Sequence, residues 1–121
     1  MGNKILFVDD DKDWRLMVAT WLGDAGYEVV TAADATEAMT KGAGAALGLI
    51  ILDLDLAGED GLVLMQFMKQ NHPGTPVILF TGLSHDDDTI LAMLREGAYQ
   101  YVRKGPQADL VKAVQMAFAN R

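Results

Sequence analysis

The sequence of 121 residues contains no cysteine, which excludes disulfides, thiol chemistry and cysteine-type zinc sites. No apolar run approaches the roughly 18 residues of a membrane-spanning helix, and the opening MGNKIL lacks the pattern of a signal peptide. Positive charge is scarce: the sequence has ten Lys and Arg residues and seventeen Asp and Glu residues, which gives a net charge of −7. This negative charge disfavours binding to nucleic acid. We therefore expect one soluble, cytoplasmic domain that engages neither membrane nor nucleic acid.

The chain does contain a regular alternation of short apolar runs and helical patterns. The predicted strands lie within 4–8, 27–32, 47–53, 75–82 and 98–104. The predicted helices lie within 11–24, 34–42, 60–71, 86–97 and 108–120. Strands that alternate with helices predict the α/β class, with a parallel sheet covered by helices on both faces.

Apolar spacing also predicts the orientation of individual side chains. In the fourth helix we expect Ile90 and Met93 to face outward, towards a possible partner, and Leu91 and Leu94 to face the sheet. Trp14 falls in the first turn of the first helix, so we expect it close to the carboxyl end of the first strand.

Polar residues follow the predicted strands where each one ends. Asp9 and Asp10 follow the first strand, Asp53 the third, Thr81 ends the fourth and Lys104 ends the fifth. Parallel strands end at one edge of a sheet, where open α/β sheets bind ligands. Carboxylates a few ångströms apart repel by roughly 4 kcal/mol per pair at an effective dielectric constant near 20. We therefore predict a cation here, most simply Mg²⁺, which with a lysine and a hydroxyl makes a phosphoryl-transfer site.

Four segments resemble the receiver domain of two-component response regulators, and the resemblance covers essentially residues 1–121 as one domain. These segments are FVDDD, LIILDLDLAGEDG, ILFTG and YQYVRKG. The resemblance implies a flavodoxin-like doubly wound (βα)5 fold with a five-stranded parallel sheet of order 2-1-3-4-5. It also implies the site residues, which are Asp53 as phosphoacceptor, Thr81 and Lys104 as its catalytic partners, Thr81 and Tyr101 as switch residues, and Asp9, Asp10, Asp53 and the backbone carbonyl of Asp55 as ligands of Mg²⁺.

The same resemblance implies a signalling function. A histidine kinase or a phosphotransfer protein would phosphorylate Asp53, and the face formed by the fourth helix, fifth strand and fifth helix would change towards an output partner or domain. The chain would catalyse only its own phosphorylation and dephosphorylation, so we do not expect an enzyme with a separate substrate.

The segment around Lys104 departs from the family pattern. Family members usually have a proline directly after this lysine, often with a cis peptide bond, whereas here Gly105 precedes Pro106. A cis bond before a non-proline residue costs roughly 3 kcal/mol. We predict a trans Lys104–Gly105 bond, with the amine still directed at Asp53. A second departure is Ala57-Gly58, where the family usually has a proline.

Two other functions compete with this interpretation. One is a pseudo-receiver that is never phosphorylated and acts only through protein contacts; the altered loop after Lys104 is the feature in its favour. The other is a small haloacid-dehalogenase-like phosphohydrolase, since LIILDLDL also resembles the DxD motif of those enzymes, with Asp55 as general acid. The upstream acidic pair and the lack of room for a cap disfavour that enzyme.

Overall fold

The computed structural model describes residues 3–56, 58, 60–82 and 87–120, apart from the side chain of Asp87. Ala57, and the predicted start of the fourth helix at Asp86, lie outside the described residues. The strands are β1 (Lys4–Val8), β2 (Glu28–Ala32), β3 (Leu49–Leu52), β4 (Val77–Thr81) and β5 (Gln100–Arg103). The helices are α1 (Lys12–Asp24), α2 (Ala35–Gly42), α3 (Gly61–Asn71), α4 (Asp87–Arg95) and α5 (Gln107–Ala119).

The five strands form one parallel sheet in the order β2-β1-β3-β4-β5, so the predicted doubly wound fold is confirmed. The chain starts near the middle of the sheet, moves outward to β2, returns to β3 beside β1, and then adds β4 and β5. This order places β1 and β3 side by side, with Val8 opposite Leu52. The acids that follow these two strands are therefore neighbours.

Side chains that alternate along the strands form two core layers. One layer contains Leu6, Ile50 and Leu79 and is closed by residues of α2, α3 and α4. The other contains Phe7, Ile51 and Phe80 and is closed by residues of α1 and α5. Burial on both faces explains why the central strands are continuous apolar runs rather than alternating ones. Within the described residues, every helix is too short or too polar to form a membrane span.

Aspartates fix the starts of three helices on the side of the sheet where the strands end. The side chain of Asp11 accepts hydrogen bonds from backbone N–H groups in the first turn of α1. In the same way, Asp34 accepts one from the N–H of Glu37 in α2, and Asp60 accepts hydrogen bonds from N–H groups in the first turn of α3. Such caps satisfy donors that have no partner within the helix. Asp11 thus has a structural role, distinct from that of the two acids before it.

The prediction for the faces of α4 was wrong for Leu91 and Met93, whereas Leu94 packs against the core as predicted. Met93 is buried in the core layer that α2, α3 and α4 close, whereas Leu91 is 46% exposed. Ile90 and Leu94 are both partly buried. The helix is rotated relative to the prediction because Met93 and Leu94 together face the sheet, which turns Leu91 towards solvent.

Candidate functional site

The sheet itself positions the site residues at the carboxyl edge. The hydrogen-bond ladder continues one residue past three strands, since the N–H groups of Asp9, Asp53 and Lys104 each donate to a neighbouring strand at 3.0 Å. Thr81 is the last residue of β4 and is fully buried. The backbone of each of these residues is therefore held as rigidly as the strands.

Lys104 joins two of the acids. Its ammonium lies 2.7 Å from Asp9 Oδ2 and donates a hydrogen bond to Asp53 Oδ2 at 3.0 Å. Burial of the ammonium lowers the pKa of Lys104, but the hydrogen bonds to Asp9 and Asp53 and the charges of both carboxylates outweigh it and raise the pKa above 10.5. No peptide bond in the described part of the chain is cis. Both parts of the prediction for the Lys104 loop are therefore confirmed.

Asp9 is the most deeply buried acid of the site. Burial raises its pKa from 3.8 to about 6, against the opposing effects of Lys104 and of the Asp11 N–H, while the charge of Asp53 raises it further. The Asp11 N–H donates to Asp9 Oδ1 at 2.9 Å. Arg15 donates to the backbone carbonyl of Asp9 at 2.8 Å, which holds the turn between β1 and α1.

The acids fit a divalent cation. Asp9, Asp10 and Asp53 each place a carboxylate oxygen within 4.8 Å of those of the other two. Asp9 Oδ2 is buried beside the Lys104 ammonium, which lies 2.7 Å away. A set of hard carboxylate oxygen atoms is the ligand type that Mg²⁺ takes.

Asp53 is held in one orientation by two donors. The backbone N–H of Asp55 donates to its Oδ1 at 3.0 Å, and Lys104 donates to its Oδ2. Only 2% of Asp53 is exposed. The carboxylate is therefore nearly covered and is fixed at the carboxyl edge of the sheet.

The contact between the side chain of Asp55 and Thr81 was missed by the sequence analysis, which gave that side chain a role only as general acid in the phosphohydrolase alternative. The hydroxyl of Thr81 donates a hydrogen bond to Asp55 Oδ2 at 2.6 Å. A signal was present, because an acid two residues beyond Asp53 falls at the same edge of the sheet. Thr81 is thus connected to Asp53 by two hydrogen bonds through Asp55, because the N–H of Asp55 donates to Asp53 and its carboxylate accepts from Thr81.

Two aromatic residues border the site. The ring centroid of Trp14 lies 5.1 Å from the Lys104 ammonium, so its predicted place near the acids is confirmed. Tyr101 is partly buried against the layer that contains Leu79, its register partner in β4. Because strand residues two apart share a face, Thr81 lies on the same face of the sheet as Leu79 and thus as Tyr101.

Comparisons with known proteins agree with this geometry. The sequence matches the family profile of the response regulator receiver domain over residues 5–115. It is 39% identical over 111 residues to the nitrogen assimilation regulatory protein NtrX of Azorhizobium caulinodans, a match that covers 90% of this chain and 24% of that protein. It is 34% identical to the C4-dicarboxylate transport transcriptional regulatory protein DctD of Rhizobium meliloti, over 97% of this chain and 25% of that protein. The chain thus spans about a quarter of these relatives.

Solved structures are similar over nearly the whole chain. The receiver domain of NtrX from Brucella abortus superposes with a TM-score of 0.89 at 35% identity, covering 97% of this chain and 99% of that one. The Vibrio cholerae chemotaxis protein CheY4 superposes with a TM-score of 0.87 at 31% identity, with the same coverage of 97% and 99%.

Proposed function

The chain belongs to the response regulator receiver domain family, and from that premise we propose that Asp53 accepts a phosphoryl group from a histidine kinase or a phosphotransfer protein. One observation carries the proposal. The carboxylate of Asp53 is fixed between the Lys104 ammonium and the Asp55 N–H at the carboxyl edge of the sheet. A carboxylate that is held in this way beside a buried cation is suited to nucleophilic attack on a phosphoryl group.

The reaction moves the phosphoryl group from the donor to Asp53. One carboxylate oxygen attacks phosphorus, and a P–O bond forms while the P–N bond of the phosphohistidine breaks. The imidazole leaves with the electron pair of that bond and takes up a proton from water. The product is an acyl phosphate on Asp53, so the chain modifies itself and turns over no separate substrate.

Lys104 and the cation that the acids would bind both offset the negative charge of the phosphoryl group. The Lys104 ammonium, already within hydrogen-bond distance of Asp53, stabilises the charge that develops on the phosphoryl oxygens. Asp9, Asp10 and Asp53 would hold Mg²⁺, together with the backbone carbonyl of Asp55, and the bound ion supplies further positive charge at the phosphoryl group. The approach of these three carboxylates to within 4.8 Å of one another is the observation that supports this assignment.

Thr81 and Tyr101 transmit the change. The Thr81 hydroxyl leaves Asp55 and donates to a phosphoryl oxygen, and Tyr101, on the same face of the sheet, moves into the space that Thr81 vacates. The surface formed by α4, β5 and α5 then differs between two populations, and an output partner or domain distinguishes them.

The biological setting follows from the same premise. We propose that residues 1–121 form a single receiver domain that acts in the cytoplasm. No observation favours the pseudo-receiver or the phosphohydrolase, and the contact of Lys104 with Asp53 removes the main argument for the pseudo-receiver.

A small-molecule donor tests the proposal without knowledge of the kinase. Acetyl phosphate with Mg²⁺ should add one phosphoryl group that base and hydroxylamine remove. Asp53→Asn should abolish this labelling, while Asp13→Asn, a change at an exposed acid in the first turn of α1, should leave it intact. Equal labelling of the parent and Asp53→Asn would refute the assignment of Asp53.

A further inference from the structure

We propose that Trp14 is a positioning residue, which holds the ammonium of Lys104 in place for the reaction at Asp53. The inference rests on the proposed function and adds a residue to it. Lys104 has a long side chain with several rotatable bonds, and the residue that follows it is Gly105 rather than a conformationally restricted proline. The local backbone therefore does little to aim the amine, and other contacts must do so.

The Trp14 ring is the aromatic group that contacts this amine. The Lys104 ammonium lies 5.1 Å from the ring centroid, within the distance at which a cation is attracted to an indole ring. Only 10% of the Lys104 side chain is exposed, so water competes weakly for this interaction. The ring thus provides a third contact for the ammonium, in addition to Asp9 and Asp53.

The Trp14 ring is itself held in place by the core. It packs edge-to-face against Phe80, at 5.5 Å between centroids, and against Trp21, at 6.0 Å. Phe80 is fully buried and directly precedes Thr81 in β4. Because Trp14 is wedged against a rigid strand, its ring is a fixed surface rather than a mobile one.

The stem of Lys104 is confined as well. A Cβ atom on Gly82 would lie 3.3 Å from Lys104 Cδ and 3.5 Å from Lys104 Cβ, so the lysine stem runs along the bare backbone of Gly82. The backbone N–H of Lys104 donates a hydrogen bond to the backbone carbonyl of Thr81. The backbone, stem and ammonium of Lys104 are therefore fixed by β4, Gly82 and Trp14 respectively, which accounts for its aim without the usual proline.

The first test detects the position of Lys104 without any phosphorylation. In protein with isotope-labelled lysine, NMR relaxation of the Lys104 ε-methylene group should show a rigid side chain, and this measurement does not depend on the ring current of the indole. In Trp14→Leu the order parameter of that group should fall, although Asp9 and Asp53 still attract the ammonium. Phe118→Leu, a change at an aromatic residue of the same core layer that packs on Tyr27, should leave the order parameter at its value in the parent. An unchanged order parameter in a folded Trp14→Leu variant would overturn the inference.

The second test measures the rate of labelling by acetyl phosphate. Trp14→Leu should slow labelling roughly three- to tenfold, a range set by the usual strength of cation–π contacts. The smaller ring of Trp14→Phe should restore most of the rate. This variant also carries the test if Trp14→Leu does not fold, because its rate should still lie below that of the parent. A Trp14→Phe rate equal to that of the parent would then refute the inference. A purely structural role of Trp14 would lower the melting temperature without this selective loss.

A double-mutant comparison shows whether Trp14 acts through the lysine. In a Lys104→Ala background, Trp14→Leu should change the labelling rate by less than about twofold, because the partner through which it acts is gone. An undiminished effect of Trp14→Leu in that background would overturn the inference. If the parent is not labelled at all, the proposed function fails, and the NMR comparison still decides whether Trp14 positions Lys104.

Discussion

The hydroxyl of Thr81 donates a hydrogen bond to the carboxylate of Asp55 at 2.6 Å, and this contact opposes the movement that the proposed switch requires. Thr81 cannot donate its one hydroxyl proton to Asp55 and to a phosphoryl oxygen at the same time. Asp55 therefore contributes to the balance between the two arrangements of Thr81.

Removal of the Asp55 side chain should release Thr81 at a cost in stability. Asp55→Ala leaves the buried Thr81 hydroxyl without this acceptor, and we expect the free energy of unfolding to fall by about 1–3 kcal/mol. Asp55→Asn keeps a carbonyl oxygen in the same place and should lose less. Urea denaturation of both variants measures the difference. Equal losses of stability would show that the acceptor oxygen at residue 55 does not stabilise the fold through Thr81.

The release of Thr81 should also favour the phosphorylated arrangement. Beryllium fluoride, an analogue of the phosphoryl group, should bind Asp55→Ala roughly tenfold more tightly than the parent, since a charge-assisted hydrogen bond no longer competes. In a Thr81→Val background the same substitution should give no such gain. A gain that persists in that background would instead reflect the lost negative charge of Asp55.

Asp9 should make stability depend on pH when no metal is bound. Its folded-state pKa of about 6 lies above its ordinary value of 3.8, so the folded protein holds this proton more tightly than the unfolded chain does. This tighter proton binding stabilises the folded state fully below pH 3.8, and the stabilisation is lost as the pH rises through about 6.

The variant Asp9→Asn removes this dependence. In EDTA, the parent should lose stability between pH 4 and pH 7 and the variant should not. The difference in free energy of unfolding, variant minus parent, should therefore increase by about 2–3 kcal/mol over this range. The pKa of Lys104, raised above 10.5, lies outside this range of pH and does not complicate the comparison. Denaturation curves that keep a constant separation over the range would contradict the burial effect on Asp9.

Magnesium should stabilise the fold through the acidic cluster. A ligand that binds only the folded state at 100 times its dissociation constant adds about 2.7 kcal/mol, and the midpoint of unfolding should rise with Mg²⁺ concentration. Asp10→Ala should weaken or abolish this rise, whereas Asp13→Ala, which removes an acid of the neighbouring helix turn, should not. A similar rise in both variants would place the ion elsewhere.

Gly105 should tolerate a side chain. It is not among the glycines with positive φ, and the nearest atom to an added Cβ is the Arg103 carbonyl oxygen at 4.0 Å. Gly105→Ala should therefore stabilise the protein by about 0.4–1 kcal/mol, through a smaller entropy of the unfolded chain. Labelling by acetyl phosphate should stay at the parent rate, and a large loss would show that the freedom of Gly105 is needed to aim Lys104.

The positions of the site residues could be predicted from the sequence because the sheet dictates them. Once the alternation of strands and helices indicated a parallel sheet, the backbones of Asp9, Asp53 and Lys104 had to lie at one edge of it, and the strand order implied by the family resemblance made β1 and β3 neighbours. The hydrogen bond between Thr81 and Asp55 could not be predicted in the same way, because it depends on which of several acids a single hydroxyl reaches. That choice is made by packing over a few ångströms.

The orientation of α4 could not be read from its apolar spacing for a similar reason. Ile90, Leu91, Met93 and Leu94 are all apolar, so the pattern admits two phases that differ by a small rotation. The contact of Met93 with the core selects one of them. The faces of a helix are thus well determined by sequence only where polar residues mark the outside.

The location of the acyl phosphate is the most direct test of the account. After reaction with acetyl phosphate and Mg²⁺, borohydride reduces a phosphorylated carboxyl group to an alcohol, and peptide mass spectrometry then identifies the altered residue. We predict that Asp53 alone is altered, and that Asp53→Asn shows no altered acid. Reduction at Asp10 or Asp55 in place of Asp53, or the same pattern in the parent and the variant, would contradict the central claim.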